Sequence, residues 1–220
     1  MKLSEYTLTV LKNFASINSG VVIRPGSLQQ TISPEESILV KAELTDVFPS
    51  QFGIYDLNQF LGNVTTLNNP ELTFTDKIVT LDDGAVQMVY FSCRPELIKS
   101  PPDKPFDLKN PDVTFDLTHA ALSKILKLGS MNSLSHLSFT GAGNEIRMKV
   151  HDRKSDSSNF AATMISENTY KEDFSESFVT DSLKMLQDDY TVEMKLGAFA
   201  KFTGKKTNIK YFIAFEKKNK

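Results

Sequence analysis

The chain of 220 residues has one cysteine, three histidines, almost no net charge and no apolar run approaching membrane-spanning length. Each shortage excludes something. Cys93, in Val89-Tyr90-Phe91-Ser92-Cys93, has no partner for an internal disulfide; this favours a reducing, intracellular setting and reads as a small buried strand residue rather than a reactive thiol. The N-terminal segment from Met1 to Val10 lacks the continuous apolar core and small-residue cleavage site of a leader, so the expectation is a soluble, cytoplasmic protein with no membrane partner. The 25 basic residues are balanced by 27 acidic ones, a formal charge of -2. That is unlike a protein that coats nucleic acid with its whole surface, and any contact with DNA has to be local.

Catalytic signals are equally thin. His119, His136 and His151 lie on different predicted elements without metal-ligand spacing, and there is no P-loop or dinucleotide fingerprint. Gly141-Ala142-Gly143-Asn144 lies between strand patterns and reads as a hairpin turn. The acidic pairs Asp82-Asp83, Glu172-Asp173 and Asp188-Asp189 fall in turn-like contexts and read as solvated. The expectation is no catalytic residue, no metal and no cofactor.

What the chain does have is a repeated plan. Residues 94–111 hold Pro95, Pro101, Pro102, Pro105 and Pro111 with little periodicity; each proline restricts its own φ and pushes its predecessor toward extended geometry, giving a connector and a boundary near Asn110. Before it, a short strand and a helix over Leu3 to Ile17 are expected, with Leu8, Val10, Leu11, Phe14 and Ala15 on one face and Glu5, Thr9, Lys12, Asn13 and Ser16 on the other. Strands follow at 21–23, 27–32 and 37–44, then a helix capped by Asp56 that buries Leu57, Phe60, Leu61 and Val64, then strands at 72–74, 78–81 and 85–91. After the connector come a strand at 113–117, a helix from Thr118, strands near 134–139, 145–151 and 160–165, a second helix from about Thr180 carrying Leu183 and Leu186 inward, and strands at 190–195, 198–202 and 208–215. Two domains, 1–110 and 111–220, share this order.

The helix from Thr118 has an apolar stripe of Ala121, Leu122, Ile125 and Leu126, while Ser123, Lys124 and Lys127 share the opposite face. Over the four expected helices the polar faces hold Lys12, Lys124, Lys127 and Lys184 against Glu5 and Asp181, among Ser, Thr, Asn and Gln. Either these are ordinary solvated helix faces, or they form a positive wall along which a phosphate backbone passes without a set register.

Met1-Lys2-Leu3-Ser4, Leu11-Lys12-Asn13-Phe14-Ala15, Ile17-Asn18-Ser19-Gly20, Ile54-Tyr55-Asp56-Leu57-Asn58 and Phe60-Leu61-Gly62 resemble the first domain of the DNA polymerase sliding clamps of T-even-type phages. Phe202-Thr203-Gly204, Tyr211 to Glu216 and Lys104-Pro105 are similar to that family's closing strands and connector. The strong resemblance covers about a third of the chain; 31–50 and 130–176 do not align residue by residue. It implies an α+β DNA clamp fold, two similar domains each with two inner helices and outer antiparallel sheets, and three subunits closing into a homotrimeric ring by pairing strand edges. It further implies a processivity factor without catalysis in the host cell cytoplasm, encircling duplex DNA independently of sequence. Its partners would be the phage DNA polymerase, a clamp loader ATPase and, in some phages, late transcription factors. The family's inner-helix basic position matches Lys12; a pore-facing role for Lys124, Lys127 and Lys184 follows from helix position, and Glu5 stands where a basic residue would serve better. Leu97, Ile98, Phe106 and Leu108, near the connector, either line a groove for a partner peptide or peg the connector to its domains. The rival reading, a β-rich phage virion subunit of a capsid or tail ring, explains size and strands but not amphipathic helices with lysines outward.

Overall fold

The computed structural model describes residues 1–102, 104, 106–152, 159–170 and 172–217; Pro105, one of the connector prolines, lies outside them. The chain divides into two compact units, Met1–Lys104 and Pro105–Lys220, so the division falls ahead of the boundary expected near Asn110.

The first unit runs α1 (Glu5–Ile17), β1 (Val21–Ile23), β2 (Gly26–Ile32), β3 (Ile38–Phe48), β4 (Phe52–Ile54), α2 (Leu57–Thr66), β5 (Glu71–Phe74), β6 (Ile78–Asp82) and β7 (Gln87–Phe91). β1 pairs antiparallel with β4, β2 with β3, and β5, β6 and β7 form an antiparallel meander. α1 packs on β2 and β3 and against α2, burying Thr7, Val10, Leu11, Phe14 and Ile17. Spacings of three and four put these residues on one helical face. The loop after α1 sets the start of α2, because Ser19 accepts a hydrogen bond from the Leu57 amide at 2.7 Å. Gly20 makes that approach possible: a Cβ there would stand 3.1 Å from the carbonyl oxygens of Ile54 and Tyr55. No strand precedes α1; Met1 instead bridges β5, exchanging hydrogen bonds of 2.7 Å each way with the backbone of Leu72. β4, three buried residues, was too short to show a period in the sequence.

The second unit runs β8 (Val113–Leu117), α3 (His119–Met131), β9 (His136–Ala142), β10 (Glu145–His151), β11 (Ala161–Glu167), β12 (Phe174–Val179), β13 (Tyr190–Lys195), β14 (Phe199–Gly204) and β15 (Lys210–Ala214). One sheet has the order β11-β10-β9-β12; β8, β13, β14 and β15 pair in sequence as another antiparallel set. α3 lies against β10 and β11. Phe139, Phe178, Phe202, Tyr190 and Tyr211, all fully buried, form a connected aromatic core with ring centroids 5.8 to 6.5 Å apart. β12 was not anticipated: its inward positions are Phe174, Glu176 and Phe178, and the buried glutamate, which accepts from the Gly197 amide at 2.9 Å, breaks the apolar alternation.

The fourth helix expected from Thr180 is not formed. A single 3-10 turn over Thr180–Ser182 is followed by irregular chain to Tyr190, with Leu183 buried and Leu186 only partly so. The backbone groups of Leu186 are claimed by tyrosine hydroxyls: its amide donates to the Tyr211 oxygen at 3.1 Å, and its carbonyl accepts from Tyr190. Asp188 accepts from the Thr207 amide and Asp189 from the His119 amide, so both aspartates are tied to other elements. The apolar spacing of Leu183 and Leu186 is real, but tertiary hydrogen bonds outcompete the local helical ones over so short a segment.

Candidate nucleic-acid interface

Each helix is positioned by a side-chain cap at its N-terminus. The Ser4 hydroxyl accepts from the Thr7 amide at 3.2 Å and is itself held by Asp46, which takes the Ser4 amide at 2.8 Å and hydroxyl at 2.9 Å. Burial pushes the Asp46 carboxyl up, but the Ser4 and Thr7 hydrogen bonds outweigh it and hold the group below the ordinary carboxylate value. Asp56 caps α2 by accepting from the Gln59 amide at 2.9 Å. α3 has two caps: the Thr118 hydroxyl accepts from the Ala121 amide at 3.3 Å, and Asp189 reaches across to accept from the His119 amide at 2.7 Å.

With its apolar residues buried, each helix leaves one face to solvent. On α1 the exposed residues are Glu5, Thr9, Lys12 and Ser16; on α2 they are Asn58, Gln59, Gly62, Thr65 and Thr66; on α3 they include Ser123, Lys124, Lys127, Leu128, Ser130 and Met131. Three of the four lysines expected from sequence therefore stand on exposed helix faces. Lys12, Lys124 and Lys127 make no ion pair among the described residues. Lys184 is exposed but sits in the irregular segment after the 3-10 turn, so its place on an inner helix is withdrawn. Four basic side chains on or beside the sheets are neutralised where they stand: Lys195 by Asp112 at 2.7 Å, Lys205, in the turn after β14, by Asp116 at 2.7 Å, Arg147 by Glu145 at 2.8 Å and the nearly buried Lys201 by Glu193 at 2.5 Å and Asp107 at 3.4 Å.

The connector residues separate into two kinds. Ile98 and Leu108 are buried at 7% and 8% exposure, which makes them pegs and removes them from any open groove. Ile98 lies beside Gly20, and Leu108 follows Asp107, the partner of Lys201. Phe106 packs on Phe199 and Phe212, with centroids 5.4 and 5.1 Å away, but keeps part of its ring exposed; Leu97 is 65% exposed at the end of a 3-10 turn, Pro95–Leu97.

Two groupings were not legible in the sequence. Asp188 is 3% exposed, not solvated, and accepts from the Thr207 amide and hydroxyl at 2.8 Å each and from the Lys206 amide, tying down the turn between β14 and β15. Burial raises its pKa, yet these donors more than offset that and hold it below the ordinary value. His136 and His151, read as unrelated, are cross-strand neighbours with rings 5.9 Å apart. His151 shares a 2.6 Å hydrogen bond with Ser138, and His136 lies 2.6 Å from the Glu216 carboxylate, so the pair helps hold the segment after β15 against β12. Burial, with Lys149 and His136 nearby, lowers the His151 pKa. No group of metal-ligating side chains occurs among the described residues.

Two units of antiparallel sheet with helices exposing a polar face define the DNA-clamp fold, and solved clamps share it. PCNA of A. fulgidus superposes with a TM-score of 0.74 at 14% identity over 100% of this chain and 98% of that one. DNA polymerase III subunit beta of Borrelia burgdorferi superposes at 0.73 and 10% identity over 100% of this chain and 64% of that one. The sequence carries the assignment further. Residues 2–88 match the family model described as DNA polymerase processivity factor. The sliding clamp of Vibrio phage KVP40 is 31% identical over 98% of this chain and 99% of its own, and that of Enterobacteria phage T4 is 26% identical over 98% and 97%. The chain belongs to the sliding-clamp family of DNA polymerase processivity factors and is of the T4-type phage kind.

Proposed function

We propose that three copies of this chain close into a ring around duplex DNA, with the exposed helix faces toward the duplex and Lys12, Lys124 and Lys127 meeting its phosphates. The ring tethers the phage replicative polymerase, does no chemistry of its own, is placed on DNA by an ATP-driven loader in the host cytoplasm and, as a further role, serves late transcription. Lys184 contributes from its loop, and the partner segment engages the exposed Leu97 and Phe106. Lysine suits such a wall because its hydrated point charge meets phosphates in no single geometry, which lets contacts be exchanged as the ring slides.

One observation carries the ring: among the described residues each unit has a sheet with one protected and one open edge. In the three-stranded sheet Met1 covers β5, while β7 ends the sheet with Val89 and Phe91 exposed. In the four-stranded sheet Glu216 donates to Ser177 of β12, while β11 ends the sheet with Met164 exposed. Unpaired strand edges invite pairing, and β7 of one copy with β11 of the next is a head-to-tail contact of the sort that closes rings. Light scattering coupled to size exclusion tests it: three 24.6 kDa subunits weigh about 74 kDa. The wild type is expected at that mass and Phe91→Asp at monomer mass; a wild-type monomer at every concentration up to tens of micromolar refutes the ring.

A further inference from the structure

The connector residues that belong to the first unit are tied down by side chains, and one of these is buried and fully engaged. Asn18, the residue that ends α1, is 7% exposed. Its amide nitrogen donates to the Ile32 carbonyl at the end of β2, at 2.9 Å, and to the Lys99 carbonyl of the connector, at 3.0 Å. Its amide oxygen accepts from the Gly20 amide at 3.2 Å. Both donors and the acceptor are thus used, and one group joins three segments distant in sequence. Among the described residues of the first unit, no backbone–backbone hydrogen bond holds residues 99–101. Further ties are the buried Ile98 beside Gly20, the surface pair of Lys99 with Glu36, and the Arg24 guanidinium, which donates to the Pro101 carbonyl at 3.5 Å. An exposed ion pair holds little. Leu97, 65% exposed, stands directly before this anchored stretch, in a 3-10 turn where the Leu97 and Ile98 amides donate to the Arg94 and Pro95 carbonyls at 3.0 Å each.

We infer that Asn18 is a positioning residue for the polymerase: by selecting the Lys99 carbonyl it sets the path of the connector, and so the place at which Leu97 is presented. This rests on the reading above that a partner segment engages Leu97. A connector that wanders has to be ordered on binding, and the apparent affinity is reduced by the fraction of time for which it is in place. Anchoring residue 99, two positions beyond Leu97, removes that cost in advance. Ile98 fills space, but an apolar side chain does not choose one carbonyl over the next, whereas two N–H donors fixed between the Ile32 and Lys99 carbonyls do. An aspartate at 18 has the same shape and keeps an acceptor for Gly20, but it turns an oxygen with no proton toward two carbonyls.

The experiment compares wild type, Asn18→Asp and Leu97→Ala as intact clamps. Affinity for the purified replicative polymerase of the same phage is measured by isothermal titration calorimetry, and hydrogen exchange at the Leu97 and Ile98 amides is followed on the free clamp. Asn18→Asp is expected to keep the wild-type mass in light scattering, to exchange faster at both amides and to bind the polymerase about three- to tenfold more weakly, as for a connector in place about a third to a tenth of the time. Leu97→Ala is expected to weaken binding while the Ile98 amide keeps its wild-type exchange. A role in stability alone lowers the urea midpoint of Asn18→Asp but leaves its affinity unchanged where the clamp is fully folded. That result, together with weak binding by Leu97→Ala, overturns the positioning role and leaves the partner reading intact. Wild-type affinity in Leu97→Ala overturns the partner reading itself. Wild-type exchange in Asn18→Asp shows the connector held without the amide and overturns the inference. Should every substitution at 18 unfold the clamp, Lys99→Gly, which frees the same stretch of backbone without touching a buried group, is judged by the same two readouts.

Discussion

Replacing Asp188 by alanine tests the physical account of the second unit most directly. The carboxylate is almost completely buried and satisfies three donors, the amide and hydroxyl of Thr207 and the amide of Lys206. Truncation leaves two backbone amides and a hydroxyl without their acceptor in a turn that Gly204 holds tight, since a Cβ on Gly204 would lie 2.6 Å from the Asp188 oxygen. At about 1 kcal/mol for each donor left unpaired the loss is about 3 kcal/mol, or about 6–12 °C in Tm for a chain of this length. Asp188→Asn, which keeps one acceptor oxygen but no charge, should cost about half as much. The pH dependence follows from the lowered pKa of this carboxyl. A group whose folded pKa is depressed contributes stability above its unfolded pKa, near 3.9 for aspartate, and loses that contribution as pH falls through the folded value. The gap between wild type and Asp188→Asn should therefore be full at pH 6 and narrow progressively below about pH 4. Urea midpoints at constant protein concentration provide the assay. A Tm within 2 °C of wild type for Asp188→Ala, or a gap that does not narrow in acid, refutes the reasoning.

Gly62→Ala should stabilise the protein by about 0.5–1 kcal/mol, because its methyl group enters open space on a helix that glycine weakens; a lower urea midpoint would contradict the open position. Lys201→Met should cost about 2 kcal/mol despite similar volume, since it strips Glu193 and Asp107 of the cation between them, and equal midpoints would show that pair to be idle. Burial lowers the Lys201 pKa, but the hydrogen bond and charge of Glu193 and Asp107 raise it further, and the net shift is upward, in agreement with a cation held in place. Ile98→Ala should cost about 2–4 kcal/mol and Leu97→Ala less than about 0.5, so comparable losses would refute the division of the connector into buried pegs and an exposed end.

The elements legible in the sequence were those with local causes. α1, α2 and α3 each combine a capping side chain with apolar residues at spacings of three and four, and the hairpin at Asp82-Asp83-Gly84 turns where φ is positive at Gly84. Lys12, Lys124 and Lys127 were found because exposure on such a helix follows from its wheel. What escaped was set by partners distant in sequence. β12 hides an inward glutamate whose partner is the Gly197 amide. Asp188 looked like a solvated turn residue because its donors lie at 206 and 207 on another hairpin, and Asp189 caps a helix that begins 70 residues earlier. Ile98 and Leu108 could not be told from Leu97 and Phe106 by hydropathy, since only tertiary packing decides which apolar connector residue is covered.

The fourth helix shows how such a miss changes a functional argument. Thr180 to Gln187 carries a helical apolar spacing, and placing Lys184 on its outer face gave the second half a second basic helix. In the structure Tyr190 and Tyr211, buried in the aromatic core, take the backbone groups of Leu186, and the two aspartates that follow are committed to the β14–β15 turn and the start of α3. The second unit thus gives up a helix in this stretch and in exchange gains the anchor that orients α3. Its exposed basic helix face is then confined to Lys124 and Lys127, on a helix held at its N-terminus by both Thr118 and Asp189. A contact that must be weak and exchangeable still needs its charges held on a rigid element, because lysines on a fraying helix would spread their charge over many positions instead of facing one way. On that argument Asp189→Ala should loosen the first turn of α3 at a cost of about 1 kcal/mol. Hydrogen exchange should then be faster at the His119 to Leu122 amides while α1 keeps its wild-type protection. Equal protection of α3 in the two proteins would mean that Thr118 alone suffices.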